Sequence, residues 1–146
     1  MLHISAHGNK EGTGVAFGGD FVQWAELTEL LQPFVRVGES YKGHRIVVLS
    51  ACNAHMQKMT AVFRRTAKAN ESFSPPKYLF CTEEVLWQDA AVGWTLFYHL
   101  LPKAHLDEPE TVRAMLKSIF ALGIRIHYFR WDDQEATYRS FAPKSE

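Results

Sequence analysis

Leu2-His3-Ile4-Ser5-Ala6-His7-Gly8 and Ile46-Val47-Val48-Leu49-Ser50-Ala51-Cys52 decide how this chain is read. Each is a short apolar run that ends abruptly in a reactive side chain, an imidazole in the first and a thiol in the second. Such runs, bounded by turn residues, predict buried strands. Open α/β sheets place their chemistry beyond the carboxyl ends of their strands. Two neighbouring parallel strands of this kind would bring His7 and Cys52 to one sheet edge. An imidazole beside a thiol is the minimum for thiol nucleophilic catalysis.

Working outward, the pattern alternates. After the strand Leu2–Ala6 come five glycines (Gly8, Gly12, Gly14, Gly18, Gly19) around Val15-Ala16-Phe17, read as a loop with a short hairpin-like excursion. Residues Phe21–Phe34 predict a helix with Leu27, Leu30, Leu31 and Phe34 at helical spacing, ended or kinked by Pro33. Val35–Gly43 is a connector and Arg45–Ser50 the second strand. Asn53–Ala69 predicts a helix with Met56, Met59, Phe63 and Ala67 on one face. Ser72–Lys77 is a loop, Tyr78–Thr82 a third strand, and Glu84–Leu101 a helix. Pro102–Pro109 is a turn, and Glu110–Leu122 is a helix closed by Gly123. Ile124–Trp131 and Ala136–Phe141 complete the strands, and Ala142–Glu146 is read as a frayed tail. The alternation predicts one α/β domain with a mainly parallel sheet covered by helices on both faces.

The 146 residues suffice for one domain with a sizeable core. Sixteen basic and sixteen acidic residues balance, so no net field draws the chain to nucleic acid or to anionic membrane. No apolar run approaches a membrane span, and the start carries no basic, signal-like region. A cytoplasmic setting is therefore expected, with Cys52 and Cys81 as free thiols.

At a strand-to-helix junction, Cys52 would feel the positive end of the helix dipole, with Asn53 as the cap. Gly8 behind His7 lets the backbone turn and a substrate approach closely. The amides of Gly8 and Cys52 are then candidates for an oxyanion hole.

His7-Gly8 after one apolar strand and Leu49-Ser50-Ala51-Cys52 after the next resemble the caspase-like cysteine peptidases, and within them the bacterial CHAT branch. Trp24-Ala25-Glu26-Leu27, and Gln88-Asp89-Ala90-Ala91 leading into Phe97-Tyr98-His99-Leu100, strengthen the resemblance, which spans roughly residues 2–101. Positions 7 and 52 lie 45 apart, similar to the roughly 50 of the caspase pair. The resemblance implies a three-layer caspase-like sandwich and an endopeptidase acting on a protein partner without a cofactor. Cys52 would be the nucleophile and His7 the general acid/base. Two departures stand against it. Asn53-Ala54-His55 replaces the glycine of caspases proper. The family's first strands would also precede His3, so Leu2–Ala6 is expected at a sheet edge, in a fragment, a shortened member or a chain covered by a regulatory domain, another subunit or a second copy.

Specificity in such enzymes needs a charge opposite to that of the substrate side chain. Asp20, Glu83, Glu84 and Asp89 would select a basic residue, and Arg36, Arg45 or Arg130 an acidic one. Glu83 and Asp89 follow the third strand, which favours a basic residue, with Trp87 and Trp131 as the substrate-facing tryptophans. The competing readings are an inactive interaction module, or another thiol or zinc hydrolase with His3, His7, Cys52 and His55 as ligands. Ser50 and Cys81 are read as structural.

Overall fold

The computed structural model describes residues 1–35, 45–54 and 58–141. The connector's residues 36–44, residues 55–57 with His55 and Met56, and the predicted tail lie outside them. Strand β1 (Leu2–Ser5) runs into β2 (His7–Gly8), followed by β3 (Gly14–Phe17) and β4 (Asp20–Gln23). Helices α1 (Trp24–Leu30) and α2 (Gln32–Val35) lead toward β5 (Ile46–Ser50), then α3 (Lys58–Ala69) and β6 (Tyr78–Thr82). Helix α4 (Trp87–Leu100), a 3₁₀ turn (Leu101–Lys103), α5 (Pro109–Phe120), β7 (Ile126–Asp132) and β8 (Thr137–Phe141) complete the order.

The main sheet runs β1-β5-β6-β7-β8, and β2-β3-β4 form a second, three-stranded sheet. Side chains alternate across the main sheet, as a period of two requires. Val47, Leu49, Leu79, Cys81 and Phe129 pack with Trp24, Leu27, Met59 and Phe63 on one face. Val48, Tyr78, Phe80, Ile126 and Tyr128 pack with Trp94, Phe97, Leu116 and Ile119 on the other. This is a mixed α/β domain with helices on both faces, as the alternation predicted.

Three expectations are corrected. The sheet is mixed rather than mainly parallel: β1, β5 and β6 run parallel, but β7 pairs antiparallel with β6, and β8 with β7. Two consecutive helices explain this. One crossover helix returns the chain for a parallel strand, whereas α4 followed by α5 on the same face reverses it once more.

The predicted helix at Phe21 starts at Trp24 instead. Gly18, at φ +61°, turns the chain so that Phe17 pairs with Asp20 and Ala16 with Phe21, which makes Asp20–Gln23 a strand. The helix then breaks after Leu30, and Pro33 sits in the first turn of α2, where its missing N–H costs no intrahelical bond.

Leu2–Ser5 is an edge strand rather than a buried one. Leu2 and Ile4 are half-buried, and His3 and Ser5 are exposed. The sheet-edge expectation for Leu2–Ala6 therefore holds, while its burial does not. Among the described residues no helix is long and apolar enough to cross a membrane.

Candidate active site

The parallel pairing of β1 with β5 sets the site. Leu2 lies opposite Val47, His3 opposite Val48, Ile4 opposite Leu49 and Ser5 opposite Ser50. The amide of Ala6 then donates to the Ser50 carbonyl at 3.1 Å, extending the ladder one step. The same offset carried two residues past Ser5 and Ser50 reaches His7 and Cys52. The sequence interval between the two residues is thus the register of the sheet. His7 and Cys52 line one cleft at the carboxyl edge, with Ala6, Ser50, Ala51, Val85, Trp87 and Ala90. The cleft holds about 20 Å³ of free space, room for one water-sized group.

Gly8 is fixed here by contact rather than by backbone angle. A Cβ on it would lie 1.8 Å from the Cys52 carbonyl oxygen and 2.9 Å from the Cys52 nitrogen. The two predicted oxyanion residues therefore stack backbone on backbone. The Cys52 thiol is free and half-exposed, and Sγ lies 4.0 Å from the Val85 carbonyl oxygen, a weak donor contact. The exposed His7 ring stands edge-on to Trp87, with centroids 5.5 Å apart. Among the described residues no hydrogen bond joins His7 to Cys52. Apo catalytic pairs are often loose and tighten only with substrate.

The described part of helix α3 runs from Lys58 to Ala69, and residues 55–57, where the expected helix would approach Cys52, lie outside the described residues. Residues Cys52–Ala54 form a turn. Asn53 is not a cap: it occupies the left-handed region at φ +59°, which Asn tolerates well, and its Nδ2 donates to the Asn9 carbonyl at 3.2 Å. That bond ties the Cys52 turn to the loop after Gly8. The same loop is closed by Asn9 Oδ1 accepting from the Thr13 amide at 2.9 Å.

The charged candidates are mostly committed elsewhere. Glu83 is half-buried, accepting from His127 Nε2 at 2.6 Å and from Arg125 Nη1 at 3.3 Å. Burial alone would raise its carboxyl, but His127 and Arg125 outweigh this and hold it below the usual carboxylate range. Asp89 is exposed but stands about 200° around α4 from Trp87, away from the cleft-lining face that Ala90 shares. Asp20 pairs with Phe17, in the row next to His7–Ala16–Phe21, so it lies on the opposite face of the small sheet from His7. Glu84 is exposed and does not line the cleft. Arg45 and Arg130 sit at the opposite edge: the Arg45 carbonyl accepts from Tyr78 at the start of β6, and Arg130 Nη1 donates to the Asp107 carbonyl at 2.6 Å. Arg36 lies outside the described residues.

Of the two tryptophans read as substrate-facing, Trp87 is 55% exposed at the cleft. Trp131 is not substrate-facing: it is buried at the far edge against Tyr138, and its amide donates to Lys77. Ser50 is buried in the cleft wall. Cys81 is fully buried, and burial pushes its thiol up. Of the residues read as zinc ligands, His55 lies outside the described residues, and His3 stands apart from His7 and Cys52. His3 lies four residues before His7 on extended chain, roughly 13 Å away. Its ring rests by Trp94, and its Nδ1 is 2.7 Å from the Tyr98 hydroxyl.

Sequence reasoning missed Phe21. The pairing of His7 with Ala16, and of Ala16 with Phe21, puts all three on one face of the small sheet. The signal was present as Gly18-Gly19 between two apolar stretches, a hairpin turn pattern.

No protein-family model, curated protein or solved structure matches this chain.

Proposed function

We propose that this chain is a caspase-like cysteine endopeptidase of the CHAT type, acting through a Cys52–His7 dyad on a protein substrate in the cytosol. The single observation that supports it is the shared strand register, which brings an imidazole and a free thiol to one cleft at the carboxyl edge of a parallel strand pair. In this mechanism His7 takes the thiol proton while Cys52 sulfur attacks the scissile carbonyl carbon. The carbonyl oxygen then carries the negative charge and takes hydrogen bonds from the amides of Gly8 and Cys52. Collapse breaks the C–N bond, and His7 gives its proton to the leaving amine. Water, deprotonated by His7, then hydrolyses the thioester and frees the thiol. A second copy, a regulatory domain or another subunit would cover the β1 edge.

A specific observation favours a second reading, a non-catalytic module of the same fold. The cleft has room for one water-sized group, and Cys52 Sγ faces the Val85 carbonyl rather than His7.

One experiment separates the two readings. The purified protein is treated with a peptidyl acyloxymethyl ketone and read by intact mass and peptide mapping. A peptidase gives a single addition at Cys52 that His7→Ala abolishes. Equal, slow labelling with and without His7 would sink the enzymatic reading.

A further inference from the structure

Resting on the peptidase reading, we infer that the site selects an apolar side chain and binds its protein substrate across a surface strip made by Trp87, His7, Ala16 and Phe21. The strip follows from strand pairing. His7, Ala16 and Phe21 are directly opposed across β2, β3 and β4, so their side chains leave the small sheet on one face. The neighbouring row points the other way: Val15 is fully buried in the core, with Val22 packed against the same cluster. The His7 face is consequently the outer one. Trp87 extends it, edge-on to the His7 ring at 5.5 Å.

Two large apolar side chains, Trp87 at 55% and Phe21 at 46% exposure, thus flank the candidate acid/base residue without taking part in the core. Leu86, at 63%, adjoins Trp87 in sequence. Exposed aromatic side chains set on either side of a candidate acid/base residue suit a binding face. The occupant is a substrate chain because His7 lies inside the strip. The narrow cleft supplies no deep pocket, so side-chain choice falls to the surface around it. The four carboxylates that sequence nominated for a basic side chain do not compete: Glu83 is held by His127 and Arg125, Asp89 and Asp20 are turned away, and Glu84 does not line the cleft. An indole and a phenyl ring reward an apolar partner instead.

Four peptidyl ketones that differ only in the residue beside the reactive group (Phe, Leu, Arg or Asp) test this, with rates of addition at Cys52 measured by intact mass. The Phe and Leu reagents are expected to react about tenfold faster than the Arg and Asp reagents. Trp87→Ala and Phe21→Ala are expected to reduce that ratio to about twofold or less, while Trp87→Phe keeps it. Where Phe21→Ala does not fold, Phe21→Thr retains strand propensity and carries the same test. A fastest Arg or Asp reagent overturns the inference and leaves the peptidase reading standing, as does an apolar preference unchanged in both truncations. Addition to Cys52 that is equal for all four reagents and indifferent to His7→Ala overturns the peptidase reading, and this inference with it.

Discussion

Replacing Gly8 with alanine adds one methyl group at the point where the two halves of the candidate site touch. The new Cβ would stand 1.8 Å from the Cys52 carbonyl oxygen, 2.7 Å from its carbon and 2.9 Å from its nitrogen. All three are backbone atoms, so no rotamer change relieves the clash. The β2 and Cys52 backbones must separate by more than an ångström, against a ladder that continues through the Ala6–Ser50 bond. Overpacking costs about 1–3 kcal/mol, and a backbone obstruction belongs at the upper end, about 3 kcal/mol. For a chain of this size that corresponds to a fall in melting temperature of about 6–12 °C. Gly19→Ala is the control, since nothing lies within 4 Å of its Cβ position, and its stability should change by less than about 0.5 kcal/mol. Thermal unfolding by circular dichroism, paired with the rate of Cys52 alkylation, reads both variants. A Gly8→Ala protein that melts within about 1 °C of the parent, with an unchanged Cys52 rate, would refute the stacked arrangement of Gly8 on Cys52.

Three further outcomes are expected. In the folded protein, iodoacetamide should modify Cys52 and spare Cys81, which is fully buried with its thiol pushed up by burial, until denaturant is added; early double labelling would contradict that burial. Phe63→Ala removes a fully buried ring that stacks on Phe73 at 6.0 Å, and should cost about 3–5 kcal/mol in urea unfolding. The Glu83 carboxyl is held below its ordinary value of 4.5, so its ion pairs stabilise the fold above that pH, and the contribution is lost as pH falls through the depressed folded value. Glu83→Gln should therefore lower the urea midpoint at pH 7 and converge with the parent in strong acid; a constant difference across that range would argue against the assigned linkage.

Much of the fold was legible because local pattern and burial agree. The apolar runs at Ile46–Ser50 and Tyr78–Thr82 are buried on both faces of the sheet, so their composition alone announces central strands. The stretches Trp87–Leu100 and Pro109–Phe120 carry helical periodicity that tertiary packing then uses. Edge and turn features were harder to read. Leu2–Ser5 looks like a central strand in composition, yet among the described residues it has a partner only in β5 within its sheet.

The sequence by itself determined the central strands and the longer helices, the strand-end positions of His7 and Cys52, and the interval between them. Tertiary structure alone decided what that interval means. Parallel register turns a distance along the chain into adjacency in space, and register is a property of two strands rather than of either one. It also decided which carboxylates are free. Glu83 is claimed by His127 and Arg125, 44 and 42 residues away, because antiparallel β7 returns the chain beside β6. The count of helices between those strands sets that direction, and nothing in the local sequence of Glu83 records it.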